Sequence, residues 1–99
     1  MTKQTQLTQS GDPVFEFRLY ITGASPNSSR AVSNIKKILE GHAQGRYRLE
    51  IIDVYQQPHI AEAVDIIALP MLVRKTPLPE KRVIGDLSDT ERIITRMEI

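Results

Sequence analysis

The stretch "VFEFRLYITGASPNSSRAV", residues 14–32, limits what this chain can fold into more than any other. Phe15, Phe17, Leu19 and Ile21 alternate with Glu16, Arg18 and Tyr20. Side chains of an extended chain point to opposite faces in turn, so this period of two predicts a strand. Gly23 ends it. Ser25 offers the side-chain acceptor an N-cap needs, and Pro26 suits the first helical position, where its missing N–H costs nothing. Ala31, Ile35, Ile38 and Leu39 then recur at the spacing of one helical face, and Gly41 is placed to stop the helix. A strand that turns at once into a capped amphipathic helix must lay that helix back on its own sheet.

The next stretch, "YRLEIIDVY" at residues 47–55, predicts a second strand. Ile51, Ile52 and Val54 suggest burial on both of its faces, as in a parallel sheet. Strand, helix and strand at this spacing make a right-handed βαβ unit. The second half of the chain admits two readings. In one, "PHIAEAVDIIALP" (residues 58–70) is a short helix with Ile60, Val64 and Ile67 on one side. The run "PMLVRKTPLPEKRVIG" (residues 70–85) is then two strands joined at Thr76, Pro77, Leu78 and Pro79, and "SDTE" is a capping box in which Ser88 opens a last helix. The order is βαβαββα, the α/β topology of thioredoxin. In the other, "IITRMEI" (residues 93–99) is a strand, because Ile93, Thr95, Met97 and Ile99 also alternate with their neighbours. The run "DIIALPMLV" is helix or strand by periodicity alone.

Ninety-nine residues argue for one domain, with residues 1–13 a polar leader and 14–99 the folded unit. The leader has no apolar segment of the kind a secretory signal needs, and no stretch approaches the ~18 apolar residues of a membrane span. With 40% hydrophobic and 25% charged residues the chain reads as globular. A net charge of +1 supplies no global field toward nucleic acid or acidic lipid. The absence of cysteine removes disulfides, zinc–thiolate sites and thiol catalysis together, and is compatible with the cytosol.

That absence bears on the turn. Thioredoxins keep a Cys-x-x-Cys pair there, whereas this chain has Ser25 and Ser28, and serine cannot exchange disulfides. The two serines read as helix-start chemistry. The free N–H groups of a helix start can hold an anion, but many helices share that property. His42 and His59 have no partner at ligand spacing and read as surface residues. Asp53 ends the second strand, where α/β proteins often place ligands, and reads as a strand-end carboxylate. Asp86 and Asp89 read as turn and cap residues. Arg74, Lys75, Lys81 and Arg82 bracket the Pro77/Pro79 turn and are expected to form a basic end of the hairpin, either a partner surface or a solvated one. No aromatic residue interleaves them for base stacking. Composition and spacing alone reveal no catalytic group, metal site or cofactor site.

The segments "LYITGASPNSSRA", "ILE", "IIDVYQQPHIAE", "ALPMLVRK" and "RVIGDLS", in this order, resemble the KaiB family of small bacterial clock proteins over residues 17–94. The resemblance implies a non-enzymatic, cytoplasmic regulator without cofactor that binds the hexameric ATPase KaiC, helps sequester KaiA and competes with the kinase SasA. A redox or small-ligand protein on a thioredoxin scaffold is the alternative. The resemblance also implies two folds for one sequence: a thioredoxin-like monomer on the partner, and a βαββααβ arrangement in a free tetramer or dimer. By position, Arg30, Arg74, Lys81 and Arg82 match basic residues of the KaiC-facing surface. Pro70, Pro77 and Pro79 lie in the segment that rearranges, with Leu69–Pro70 the first candidate for a cis bond in the thioredoxin-like state. Glu50 stands where clock members often have lysine. Family members often carry an acidic C-terminal tail, and this chain stops at Ile99, so it reads as a diverged member.

Overall fold

In the structure, a computed structural model that describes residues 14–64 and 68–99, the elements follow as β1 (Phe15–Ile21), α1 (Pro26–His42), β2 (Tyr47–Asp53), α2 (Pro58–Val64), β3 (Met71–Thr76), β4 (Lys81–Ile84) and α3 (Thr90–Met97). This is the βαβαββα order. The strands form one sheet ordered β2-β1-β3-β4, with β1 parallel to β2 and antiparallel to β3, and β3 antiparallel to β4. The polar leader and Ile67 lie outside the described residues.

Strand alternation divides the core into two layers. Phe15, Phe17 and Leu19 of β1, Leu72 of β3 and Val83 of β4 pack with Ala31, Ile35, Ile38 and Leu39 of α1 and Ile93 and Met97 of α3. On the opposite face, Tyr20, Ile52, Met71 and Val73 form a smaller cluster that Ile60 of α2 covers. The sheet therefore sits between α1 and α3 on one side and the short α2 on the other.

The first half forms as its local pattern dictates. Ser25 caps α1, its hydroxyl accepting from the Ser28 amide, with Pro26 at the first position. Three expectations need correction. The helix runs through Gly41 to His42 and is capped at Ala43; the left-handed turn falls at Gly45, with φ of 77°. Ile51 is 38% exposed although Ile52 is buried, because β2 is an edge strand with no neighbour beyond it among the described residues. The last helix is capped by Asp89, whose carboxylate accepts from the Arg92 amide at 3.1 Å. Ser88 is not the cap: its hydroxyl and its amide both turn back to the Asp86 carboxylate, the amide at 3.1 Å in an Asx turn.

Over residues 90–97 the helical period prevails. Ile93 and Met97 are buried four residues apart, whereas Thr95, which a strand would place beside them, is exposed. Asp89→Ala is expected to cost about 1 kcal/mol of stability in chemical denaturation, the usual loss for an N-cap. Ser88→Ala should stay within about 0.5 kcal/mol, as surface substitutions do. The reverse order would return the cap to Ser88.

Candidate partner-binding surface

The turn after β1 is a closed hydrogen-bonded unit. Ser28 is fully buried; its hydroxyl accepts from the Thr22 amide at 3.1 Å while its amide donates to Ser25 Oγ at 3.2 Å. Asp53 Oδ1 accepts from the amides of Gly23 at 3.0 Å and Tyr55 at 2.9 Å, and so ties the end of β1 to the end of β2. Gly23 has φ of 53° and lies under the Tyr55 ring, which a Cβ there would meet at 3.5 Å. The serines where thiols would stand are thus engaged in holding the helix start, and Asp53 acts as a strand-end tie. His42 and His59 are both exposed. Pro70 precedes β3, where Met71 pairs with Tyr20, so the register sets it beside the end of β1. The Leu69–Pro70, Thr76–Pro77 and Leu78–Pro79 bonds are all cis.

Two segments far apart in sequence meet at Arg30. Its Nε donates to Asp86 Oδ2 at 3.2 Å, its Nη2 donates to Asn27, and its side chain is 55% exposed. Asn34 Nδ2 donates to the Asp86 carbonyl at 2.9 Å, so two contacts clip α1 to the loop after β4. The hydroxyl and amide of Ser88, and then the Arg30 guanidinium, hold the Asp86 carboxyl below its ordinary pKa of 3.8. A depressed folded-state pKa contributes stability above the ordinary value, and that contribution is lost as pH falls through the folded value. Asp86→Asn is therefore expected to lower stability modestly at pH 7, where the Ser88 and Arg30 contacts to the carboxylate are fully present, and to flatten the acid limb of a stability-against-pH curve below about pH 4, so that the two proteins converge at low pH. An acid limb identical in both proteins would deny Asp86 this role.

The hairpin cations are distributed unlike the expected basic cluster. Arg74 is 2% exposed and does not face solvent. On β3 it shares a face with Leu72, the face that α3 covers, so its assignment to the exposed surface is corrected for this fold. Lys75 reaches Glu80 at 2.8 Å, Arg82 Nη2 lies 3.6 Å from Glu80 Oε1, and Lys81 lies 3.6 Å from Glu98 Oε2. Lys75, and secondarily Arg82, hold the Glu80 carboxyl low. Sequence reasoning missed these counter-charges; of them only Glu80 lies within the hairpin itself. Lys81 and Arg82 remain partly exposed at the start of β4. Arg30 lies by the loop that follows β4, at the other end of that strand from Lys81 and Arg82.

On the α2 side of the sheet, the face that Arg82 shares through its pairing with Val73, Arg18 pairs with Glu50 at 3.4 Å and Arg48 with Glu16 at 3.2 Å. Each pair sits directly across the β1–β2 register. Glu50 thus answers Arg18, a role a lysine there could not fill. Among the described residues no group of three His, Cys, Asp or Glu side chains could hold a metal ion, and no helix is long and apolar enough to cross a membrane.

Fold and turn together define a thioredoxin-like domain in which hydroxyls stand where thiols would be. The KaiB domain model matches residues 18–99, and the chain belongs to the KaiB family. It is 45% identical over 82 residues to the circadian clock oscillator protein KaiB of Synechococcus elongatus, an alignment covering 83% of this chain and 80% of that one. Among solved structures it is similar to the N-terminal domain of Synechococcus elongatus SasA, with a TM-score of 0.70 and 23% identity over 87% of this chain and 81% of that one. It is also similar to the thioredoxin of Malassezia sympodialis, with a TM-score of 0.68 and 20% identity over 100% and 89% of the two chains. At these identities both structures speak to the fold alone.

Proposed function

We propose that this chain is a non-enzymatic regulator in a circadian, timing or stress system, and that it binds a KaiC-type ATPase hexamer through Arg30 together with Lys81 and Arg82. The observation that carries this reading is the meeting of "PNSSRA" and "RVIGDLS" at the Arg30–Asp86 contact. Two segments that bear the family resemblance form one surface there, with the Arg30 side chain half exposed. The shared fold of the SasA N-terminal domain supports competition between the two for one ATPase surface. KaiA is a second candidate partner, and the free chain is proposed to be a tetramer or dimer that converts to a thioredoxin-like monomer on binding.

A pull-down on immobilised KaiC-type hexamer under ATP and under ADP tests the reading, with the SasA N-terminal domain as competitor. Retention in at least one nucleotide state, reduced by the competitor, is expected. No retention in either state would sink the proposal. The redox alternative requires a thiol-exchanging group, and the chain has no cysteine. Insulin reduction by dithiothreitol is expected to run at the no-protein rate; faster turnover would revive that alternative.

A further inference from the structure

Arg74 is a buried charged side chain on β3, and its acceptors lie on two different parts of the chain. Nη1 donates to the Met97 carbonyl at 2.6 Å, at the last turn of α3. Nη2 donates to the Pro79 carbonyl at 3.0 Å, in the turn between β3 and β4. The Glu98 carboxylate, itself 62% exposed, stands 3.9 Å from Nη1, and Nε has no partner among the described residues.

A buried guanidinium is tolerated only where its donors are met, and removal of one acceptor leaves charge and N–H groups stranded in a dry site. The Met97 carbonyl is one of those a helix leaves unpaired at its C-terminal end, where the dipole also favours a cation. Arg74 is the contact the two share, although each has others: Lys75 and Arg82 meet Glu80 in the turn, and α3 docks through its own apolar face. Helix α3 is short and buries only Ile93 and Met97, with Arg96 Nε donating to the Arg82 carbonyl at 3.2 Å and Lys81 reaching Glu98 at 3.6 Å. The turn carries Leu78 at its tip, 78% exposed.

We propose that Arg74 couples the docking of α3 to the closing of the β3–β4 turn, so that the two open and close as one unit. If either leaves, the other loses part of its own stability, because the guanidinium between them has lost half its acceptors. A partner that grasps the exposed Leu78 tip thereby alters the hold on residues 90–97, and a partner that captures α3 loosens the turn. This coupling is internal to the fold and stands whichever macromolecule the chain binds.

Amide hydrogen exchange on the full chain, diluted or ATPase-bound so that NMR shifts show residues 90–97 helical, tests it as a double-mutant cycle between Pro79→Gly, which frees the turn backbone, and Arg74→Lys, which keeps a cation but loses the two-pronged guanidinium. With Arg74 present, Pro79→Gly is expected to lower protection of the Ile93 and Glu98 amides by about tenfold, while β1–β2 amides change by less than about threefold. In the Arg74→Lys background the same turn substitution should move the α3 amides by less than about threefold, since the connection is already cut. The proposal is overturned if Pro79→Gly leaves α3 protection unchanged, if it lowers protection equally throughout the sheet, or if its effect on α3 is the same in both backgrounds. Should Arg74→Lys fail to fold, the Pro79→Gly arm alone still decides between the first two of these outcomes and the expected one.

Discussion

Reversing charge at Arg30 and Arg82 together is expected to weaken binding to a KaiC-type ATPase by about tenfold or more at low ionic strength, with the loss shrinking as salt rises. Exposed charges at the edge of an interface act mainly by steering encounter, so the deficit should lie in the association rate. Arg30 pairs with Asp86 and Arg82 with Glu80, and each keeps part of its surface in solvent. Reversal at Arg30 also sets two carboxylates against each other at the clip between α1 and the loop after β4. The neutral Arg30→Gln with Arg82→Gln is the control, and it should give an intermediate loss with an unaltered melting temperature. Arg74 is unsuited to this experiment. A carboxylate placed there would face two carbonyl oxygens in a buried site, and the result would report folding instead of contact. If the double reversal leaves the rate unchanged at low salt while the fold is intact, the contact lies elsewhere, and Arg18 and Arg48 at the β1–β2 end of the sheet become the next to test.

What could be read in the chain beforehand was what its physics makes local. The β1 alternation, the Ser25 cap and the apolar stripe of α1 each depend on neighbours within a few residues, and all three stand as expected. Where an outcome depends on what lies above a strand or beside it, the reading slipped. Ile51 is exposed because β2 is an edge, which the local pattern of β2 does not encode. Ser88 lost the cap to Asp89 because its hydroxyl as well as its amide is held by the Asp86 carboxylate. Arg74 did carry a signal: it sits two residues from Leu72 and so on the same face of the strand. Its charge made it read as surface, and only the position of α3 shows why the site accepts a guanidinium. The Arg30–Asp86 contact joins residues 56 positions apart and has no local signature at all.

The segment 93–99 is ambiguous for a physical reason, and that ambiguity leads to the second large effect. Ile93 and Met97 lie four apart, which satisfies a helical face and a strand face equally; only Thr95 and Ile99 tell the two apart. Residues 93–99 are expected to be strand in the free oligomer and helix in the ATPase-bound monomer, with residues 66–72 largely helical in the former. Residues 14–55 should keep one βαβ structure throughout, since β1, α1 and β2 are specified by their own patterns. Two such arrangements coexist only if they differ by a few kcal/mol, and the burial gained in an oligomer or on a partner then decides between them. A shift from about 1:99 to 99:1 requires a differential affinity worth roughly 5.5 kcal/mol, within what a protein interface supplies. Dilution of the free chain should therefore itself favour the helical monomer, because oligomer stability depends on concentration. Backbone NMR shifts of an isotope-labelled sample, recorded across a dilution series and then with the ATPase, provide the measurement. Strand shifts over residues 93–99 at high concentration, giving way to helical shifts over residues 90–97 on dilution or binding, are the expected result; the same secondary structure under all three conditions would refute the switch in this protein.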